Sequence, residues 1–136
     1  MPRQGARRVW SDSRGGLWIT RSNSGDLFRY DSTNDSWRRR WHLPGNRPQP
    51  YAVYVDDTDA VWVNDWGANT ILSFDPKTER FESFPLPDSY ANVRQLAGRK
   101  GDVWGAESAP CGAVKETSPE RCQSLVLAPR PTVPLD

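Results

Sequence analysis

Apolar and polar residues alternate along short segments in the middle of the chain. Residues 51–55 alternate between larger and smaller side chains and, like residues 61–65, are rich in β-branched and aromatic residues, and residues 56–59, with three Asp and one Thr, separate the two segments. Alternation over about five residues, bounded by turn-forming residues, is typical of a half-buried β-strand. Residues 70–74 form the next predicted strand, and the turn that begins at Asp75-Pro76 connects it to another at residues 80–84. The segment 51–87 therefore predicts four antiparallel strands.

The same pattern occurs three times along the 136 residues. Trp18, Trp62 and Trp104 mark equivalent positions at spacings of 44 and 42 residues. A period in the low forties, built from short strands, is the spacing of β-propeller blades. We therefore predict an all-β chain with little or no helix. It consists of three four-stranded antiparallel blades, at about residues 7–44, 51–87 and 93–129, and an extended tail at 130–136.

The predicted strands of the third blade are less regular than those of the first two. They cover residues 93–97, 103–107, 113–116 and 123–127. The three tryptophans are expected at equivalent buried positions between blades, since a stacked repeat needs the same packing residue in each unit.

Three blades do not make a closed ring, because natural propellers usually have four to eight. Two sheet faces would remain uncovered, so the chain is either a truncated gene product or a protomer that assembles. We expect it to need further blades or to self-associate.

The charge balance bears on possible partners. Eighteen basic and seventeen acidic residues give a net charge of +1, which argues against a nucleic acid or a membrane surface as partner. The basic run at residues 38–40 lies between Trp37 and Trp41 and indicates a solvated outer strand. No apolar segment approaches the length that spans a membrane, and residues 1–4 lack the apolar stretch of a signal peptide. We expect a soluble chain, and the sequence leaves its compartment open.

The only cysteines, Cys111 and Cys122, are eleven positions apart. They could close a small loop in an oxidising compartment. In a regular hairpin, however, they would be several residues out of register, too far apart for disulfide geometry. Both alternatives stay open.

One segment resembles a known family. Residues 62–71, Trp-Val-Asn-Asp-Trp-Gly-Ala-Asn-Thr-Ile, with Phe-Asp-Pro at 74–76 and Phe-Pro-Leu-Pro at 84–87, resemble a blade of the virginiamycin B lyase (streptogramin lyase) family. The resemblance covers about residues 7–110. It implies a seven-bladed propeller, of which this chain would hold the C-terminal three blades. The family's founding enzymes open cyclic depsipeptides by a metal-assisted elimination that breaks an ester C–O bond, so the resemblance also implies Mg²⁺.

The family's catalytic His and Glu positions correspond to Tyr51 and Asp65. Asp65 keeps a carboxylate and could still hold a divalent ion. A phenol, with a reference pKa of about 10, is a poor general base at neutral pH. The resemblance thus marks these two residues as catalytic candidates, and both depart from the family's pattern.

The hairpin 51–65 is symmetric about Thr58, which predicts that Tyr51 and Asp65 lie opposite each other at the mouth of the propeller channel. The corresponding pairs are Arg7 with Arg21 and Arg94 with Glu107. Together with Asn64, these side chains could bind an anionic or polar ligand, and Asp65 and Glu107 could hold a cation. In the alternative interpretation, Arg94 and Glu107 form a cross-strand ion pair, and Asp65 accepts hydrogen bonds from a turn or from a neighbouring blade.

Two functions from different classes follow. The first is a lyase-type propeller that acts on a cyclic ester or a similar polar metabolite. The second is a non-catalytic propeller module that binds a ligand or a protein. His42 follows an outer strand and is expected on the surface, so the sequence offers no Ser-His-Asp set.

Overall fold

A computed structural model describes residues 5–87, 90–107 and 125–129. Within these ranges every element of regular secondary structure is a β-strand, as the alternating pattern predicted. In chain order the strands are β1 (Ala6–Ser11), β2 (Gly16–Arg21), β3 (Asp26–Asp31), β4 (Ser36–His42), β5 (Pro50–Val55), β6 (Val61–Asp65), β7 (Thr70–Asp75), β8 (Arg80–Pro85), β9 (Gln95–Arg99), β10 (Asp102–Ala106) and β11 (Leu125–Pro129).

The strands form three antiparallel sheets. The first has the order β1-β2-β3-β4 and the second the order β5-β6-β7-β8, so each is a chain-ordered, four-stranded blade. The first strands of the sheets lie side by side, β1 against β5 and β5 against β9. This arrangement places them on the inside of a partial β-propeller, as the 44- and 42-residue spacing predicted.

The third sheet differs from the prediction in its outer part. Its described strands have the order β11-β10-β9, and Trp104 of β10 pairs with Leu127 of β11. Residues 123–127 were predicted as the fourth strand, but residues 125–129 instead occupy the third position, directly beside β10. The predicted third strand at 113–116, both cysteines and the tail at 130–136 lie outside the described residues.

The predicted register of the inner hairpins is wrong by one residue. Asp65 lies opposite Pro50, not Tyr51, and Arg21 lies opposite Ala6, not Arg7. The reason is a β-bulge in β1 and another in β5, each of which adds one residue to the inner strand. In the third sheet the last paired residues at this end are Gln95 and Ala106. The same register, extended by one residue, places Arg94 opposite Glu107, as predicted.

Two apolar cores lie between the sheets. Trp18 of the first sheet packs among Val53, Val61 and Phe74 of the second. Trp62 of the second packs in the same way against Val93, Leu96 and other residues of the third. Trp104 is only half-buried, contrary to prediction, because no further described sheet covers the face on which it lies.

A carboxylate holds each buried indole in place. Asp12 accepts a hydrogen bond from Trp18 Nε1 at 3.0 Å, and Asp56 accepts one from Trp62 Nε1 at 3.0 Å. The indole N–H would otherwise be a buried donor without a partner, which costs about 1–3 kcal/mol. In the third blade Gly98 stands six residues before Trp104, and the Asp102 carboxylate instead accepts a hydrogen bond from the Trp104 side chain.

The same two carboxylates organise the first turn of each blade. Asp56 accepts backbone N–H groups of Thr58 and Ala60, and Asp12 accepts those of Arg14 and Gly16. Burial alone would raise the pKa of Asp56, but hydrogen bonds from Thr58, Trp62 and Ala60 outweigh it and lower the pKa below its ordinary value. The pKa of Asp12 is lowered in the same way, against burial, by hydrogen bonds from Gly16 and other donors.

The described part of the chain contains no helix with the length and apolar character that crossing a membrane requires.

Replacing Asp56 by Asn should lower the free energy of unfolding at pH 7 by about 1–3 kcal/mol. One carboxylate oxygen becomes an NH₂ group, which cannot accept a hydrogen bond from the donors around it. A carboxylate whose folded-state pKa is lowered stabilises the fold above its unfolded-state pKa of about 3.9 and loses this effect as the pH falls through the folded value. The difference between wild type and Asp56→Asn should therefore shrink below about pH 4. Urea unfolding between pH 3 and 7 measures both effects.

Glu82→Gln is the matched control, since Glu82 is an exposed carboxylate of β8. It should leave stability unchanged at every pH. A constant offset between Asp56→Asn and wild type from pH 7 to pH 3 would contradict the assignment.

Candidate functional site

The two bulges lie at one end of the inner strands and set the geometry of the candidate site. This end, where β5 begins and β6 ends, is called the mouth below. In β1 the residues Arg7 and Arg8 together lie opposite Thr20, and in β5 Tyr51 and Ala52 together lie opposite Asn64. Neighbouring residues of a regular strand point to opposite faces, but a bulge re-aims one of them. As a result, both arginines reach the same ring of the next blade.

Tyr51 and Trp66 form a stacked pair at the mouth. Their ring centroids are 4.4 Å apart and their planes differ by 9°. The Arg8 and Arg7 guanidinium carbons lie 5.6 and 6.0 Å from the centre of the Tyr51 ring, and that of Arg94 lies 5.9 Å from the centre of the Trp66 ring. These five residues are called the mouth stack below. The middle blade supplies the two rings, and the neighbouring blades supply three exposed cations.

Hydrogen bonds between blades hold the two rings of the mouth stack. Thr20 Oγ1 donates to the Tyr51 carbonyl at 2.6 Å, and Trp66 Nε1 donates to the Val93 carbonyl at 2.7 Å. Each of these bonds joins one blade to the inner strand of the next. The rings are therefore positioned by the backbone of the scaffold before any ligand binds.

Asn64, predicted as a ligand-binding residue, is only 1% exposed. Its Oδ1 accepts the Ala52 N–H at 2.6 Å, which the bulge has removed from the ladder. Its Nδ2 donates to the Val93 carbonyl of the next blade at 2.7 Å. Both ends of the amide thus bond to the backbone, so the structure gives Asn64 a role in joining two blades.

Asp65, the candidate for the family's Glu position, is 2% exposed. Its Oδ1 accepts the backbone N–H groups of Gln49 at 2.7 Å and Gly67 at 2.8 Å. Gly67 has no room for a side chain here, because a Cβ would collide with the Arg47 carbonyl. Asp65 thus accepts turn hydrogen bonds, as the alternative interpretation predicted, and closes the loop that carries Trp66.

The other predicted residues fall into two groups. Arg7 and Arg94 lie in the mouth stack, as described above. The Arg21 guanidinium lies 5.5 Å from the Phe28 ring, on the face of the first sheet that points away from the second. Glu107 is buried at the end of β10. No group of three or more His, Cys, Asp or Glu side chains able to hold a metal ion occurs in residues 5–87, 90–107 and 125–129.

The prediction missed Arg8 and Trp66. Arg8 was missed because strict alternation places it on the face opposite to Arg7, and only the bulge brings the two together. Trp66 stands beside Gly67 in the motif that carried the family resemblance. The Trp-Gly motif was therefore a sequence signal for Trp66, but it served only to locate the positions of Tyr51 and Asp65 and did not mark Trp66 as part of a binding surface.

Among the described residues the stacked pair occurs in the second blade, whereas the scaffold contacts recur in the first. Forty-four residues before Tyr51 and Trp66 stand Arg7 and Ser22, and Ser22 Oγ simply donates to the Pro50 carbonyl at 2.5 Å. By contrast, Asp12 repeats Asp56, and Thr20 repeats the bond of Asn64 to the next blade. The blade architecture therefore does not require an aromatic pair at this position.

Comparison with known proteins shows the fold. No family model matches the sequence, and no curated protein matches it significantly. Solved structures do match. Virginiamycin B lyase from Staphylococcus aureus superposes with a TM-score of 0.67 at 15% identity over 93% of this chain and 42% of that one. A catalytically inactive variant of that enzyme with quinupristin gives 0.70 at 15% identity, over 97% and 44%.

The extracellular domain of a putative one-component system from B. thetaiotaomicron is also similar, with a TM-score of 0.67 at 14% identity over 97% of this chain and 16% of that one. The chain thus spans less than half the length of these structures. At such identities the likeness shows a shared propeller fold.

Asn64→Leu should lower the free energy of unfolding by about 1–3 kcal/mol, because it leaves the buried Ala52 N–H without its acceptor. The Val93 carbonyl loses one of its two donors and keeps the bond from Trp66 Nε1. Urea unfolding at pH 7 measures the change. Ser83→Leu, an exposed position in β8, is the control and should have little effect. Equal stability of wild type and Asn64→Leu would show that the amide does not join the blades.

Proposed function

We propose that this chain is a non-catalytic ligand-binding propeller module that binds a flat, anionic small molecule at the mouth. The mouth stack carries the proposal, because it combines two parallel, stacked rings with three exposed guanidinium groups. The first blade has Arg7 and Ser22 at the positions equivalent to the two rings. This is the second of the two functions that the sequence predicted.

The chemistry of the mouth stack favours an anion with an apolar, planar body. A guanidinium group presents its donors in a planar fork that matches a carboxylate or a phosphate. Aromatic rings bind a further ring by offset stacking at centroid distances of 4.5–7 Å. Arg7, Arg8 and Arg94 contribute three positive charges, whereas the nearby carboxylate of Asp65 is buried in its own loop. The local charge therefore favours a negative ligand.

The described residues offer little to a catalytic elimination. Tyr51 stands where the family's enzymes have a histidine, and its ring is stacked against Trp66. His42, the only histidine of the sequence, bonds to Asp26 at 2.9 Å in the outer part of the first sheet. Asp65, one of the two candidate Mg²⁺ ligands, instead accepts two backbone N–H groups, and the other, Glu107, is buried at the end of β10. Neither belongs to a group of three or more His, Cys, Asp or Glu side chains in the described part of the chain, so the residues present do not fit a Mg²⁺ site.

A lyase is the second candidate. It is supported by the structural similarity to virginiamycin B lyase, although this chain spans only 42% of that protein. On this hypothesis the longer ring would supply the base and the metal ligands that the described blades lack.

Binding of 2-naphthoate to the whole chain tests the proposed ligand class. We expect saturable binding by calorimetry and, in proton NMR spectra, a shift of the Trp66 indole N–H signal. This signal is assigned as the one that disappears in Trp66→Phe. Arg94→Gln should weaken binding about tenfold or more, because a charged hydrogen bond contributes about 1.5–3 kcal/mol. Added salt should weaken binding as well.

Two controls accompany this experiment. Arg80→Gln removes the same charge from the exposed outer strand β8 and should leave binding unchanged. The uncharged 2-naphthamide should bind much more weakly than the naphthoate. Equal binding of the two compounds, or equal loss in both arginine variants, would contradict recognition of an anion by the mouth stack.

Incubation of the chain with Mg²⁺ and a type B streptogramin should give no linear product above the control without protein. A general base typically contributes about 10²–10⁴-fold to the rate, and the described mouth lacks one. Liquid chromatography with mass spectrometry detects ring opening. A magnesium-dependent linear product that disappears in Asp65→Ala and persists in His42→Ala would instead establish the lyase.

A further inference from the structure

The outward face of the first sheet repeats most of an interface that is buried inside the molecule. Seven residues of the second sheet contribute to this buried core: Val53, Val55, Val61, Val63, Leu72, Phe74 and Phe81. Forty-four residues earlier, on the outward face of the first sheet, six of the seven equivalents are also apolar: Val9, Leu17, Ile19, Phe28, Tyr30 and Trp37. The seventh, Ser11 at the position equivalent to Val55, is polar.

These six residues share one side of the first sheet. The register pairs Val9 with Ile19, Ile19 with Phe28, Leu17 with Tyr30, and Tyr30 with Trp37. Phe28 and Trp37, and likewise Tyr30 and Trp37, make edge-on ring contacts at 6.0 and 5.2 Å. This set is called the first-sheet face below.

The first-sheet face is uncovered, whereas its counterpart is not. Val9 is 56% exposed and Trp37 is 57% exposed, but their equivalents Val53 and Phe81 are buried and half-buried. Aromatic and branched apolar side chains grouped on one face mark an interaction surface. Its counterpart shows what fits such a face, namely a four-stranded blade that presents a tryptophan.

The third sheet carries the equivalent tryptophan on its outward face. Trp104 is half-buried and pairs with exposed Ala97 across β9 and β10. Trp104 corresponds to Trp18, whose ring contacts Phe74 at 5.8 Å in the internal interface. By the same 44-residue equivalence, the residue that would receive a Trp104 ring is Tyr30.

We propose that the first-sheet face binds the third sheet of a second copy of this chain, with Trp104 of that copy packed on Tyr30 and Trp37. The contact is head-to-tail and joins two different surfaces, so repeating it closes a ring when the rotation allows. Two copies with three blades each give six, within the range of four to eight that closed propellers use. The ring leaves neither sheet face exposed.

Light scattering over a range of concentrations tests the assembly. The wild-type chain should have twice the mass of one copy. Trp37→Glu and Trp104→Lys should each give a monomer. A dimer of either variant would have two interfaces, and each interface would bury one unpaired charge. Tyr90→Glu makes the same kind of change at a residue that is 81% exposed and outside both faces, and this variant should stay a dimer.

Mixing the two monomeric variants gives the sharpest test. A mixed dimer has one interface with Glu at position 37 against Lys at position 104 and one native interface, so it should form although neither variant pairs with itself. Near-ultraviolet circular dichroism checks that each variant is folded. A wild-type monomer at all concentrations, an assembly that grows without limit, or folded variants that fail to pair when mixed would overturn the proposal.

Discussion

The structure depends on one constraint: each four-stranded sheet has two faces, and an apolar face is buried only by another sheet. Trp18 and Trp62 show how the chain meets it, since each indole crosses from one sheet into the core of the next. Truncation of such a residue to alanine typically costs about 3–5 kcal/mol. A buried indole N–H without a hydrogen-bond partner would cancel part of the stability that the ring contributes. Asp12 and Asp56 accept a hydrogen bond from these N–H groups.

The same constraint determines the geometry of the mouth. Burying the faces brings the inner strands close together, and Thr20 and Asn64 then bond to the carbonyl groups of the next inner strand. The β5 bulge leaves the Ala52 N–H to Asn64, while the β1 bulge turns two arginines toward Tyr51. The packing of neighbouring blades thus fixes where the residues of the mouth stack lie, but it does not require an aromatic pair at these positions.

The sequence predicted the features that repeat. Alternation located the strands of the first two blades, and the tryptophan spacing predicted their stacking, because both depend on burial of one face. It did not predict the bulges, since an extra residue in one strand changes the pairing without changing the side-chain pattern. The register of Tyr51 and Asp65 and the position of Arg8 were lost for that reason. In the third blade the repeat did not predict the position of the last described strand, since β11 lies directly beside β10.

The first two blades differ in some residues and agree in others, and this distinguishes the residues that the fold requires from those that are candidates for function. No related protein is needed for the distinction. Asp12 and Asp56, Thr20 and Asn64, and Trp18 and Trp62 make the same contacts twice, so the fold itself accounts for them. Tyr51 and Trp66 have Arg7 and Ser22 at the equivalent positions, and no packing requirement of a blade explains their stacking. The carboxylate at the family's Glu position falls on the scaffold side of this division, because Asp65 holds a turn. Chemistry at the mouth therefore has to be sought in the aromatic rings and the arginines.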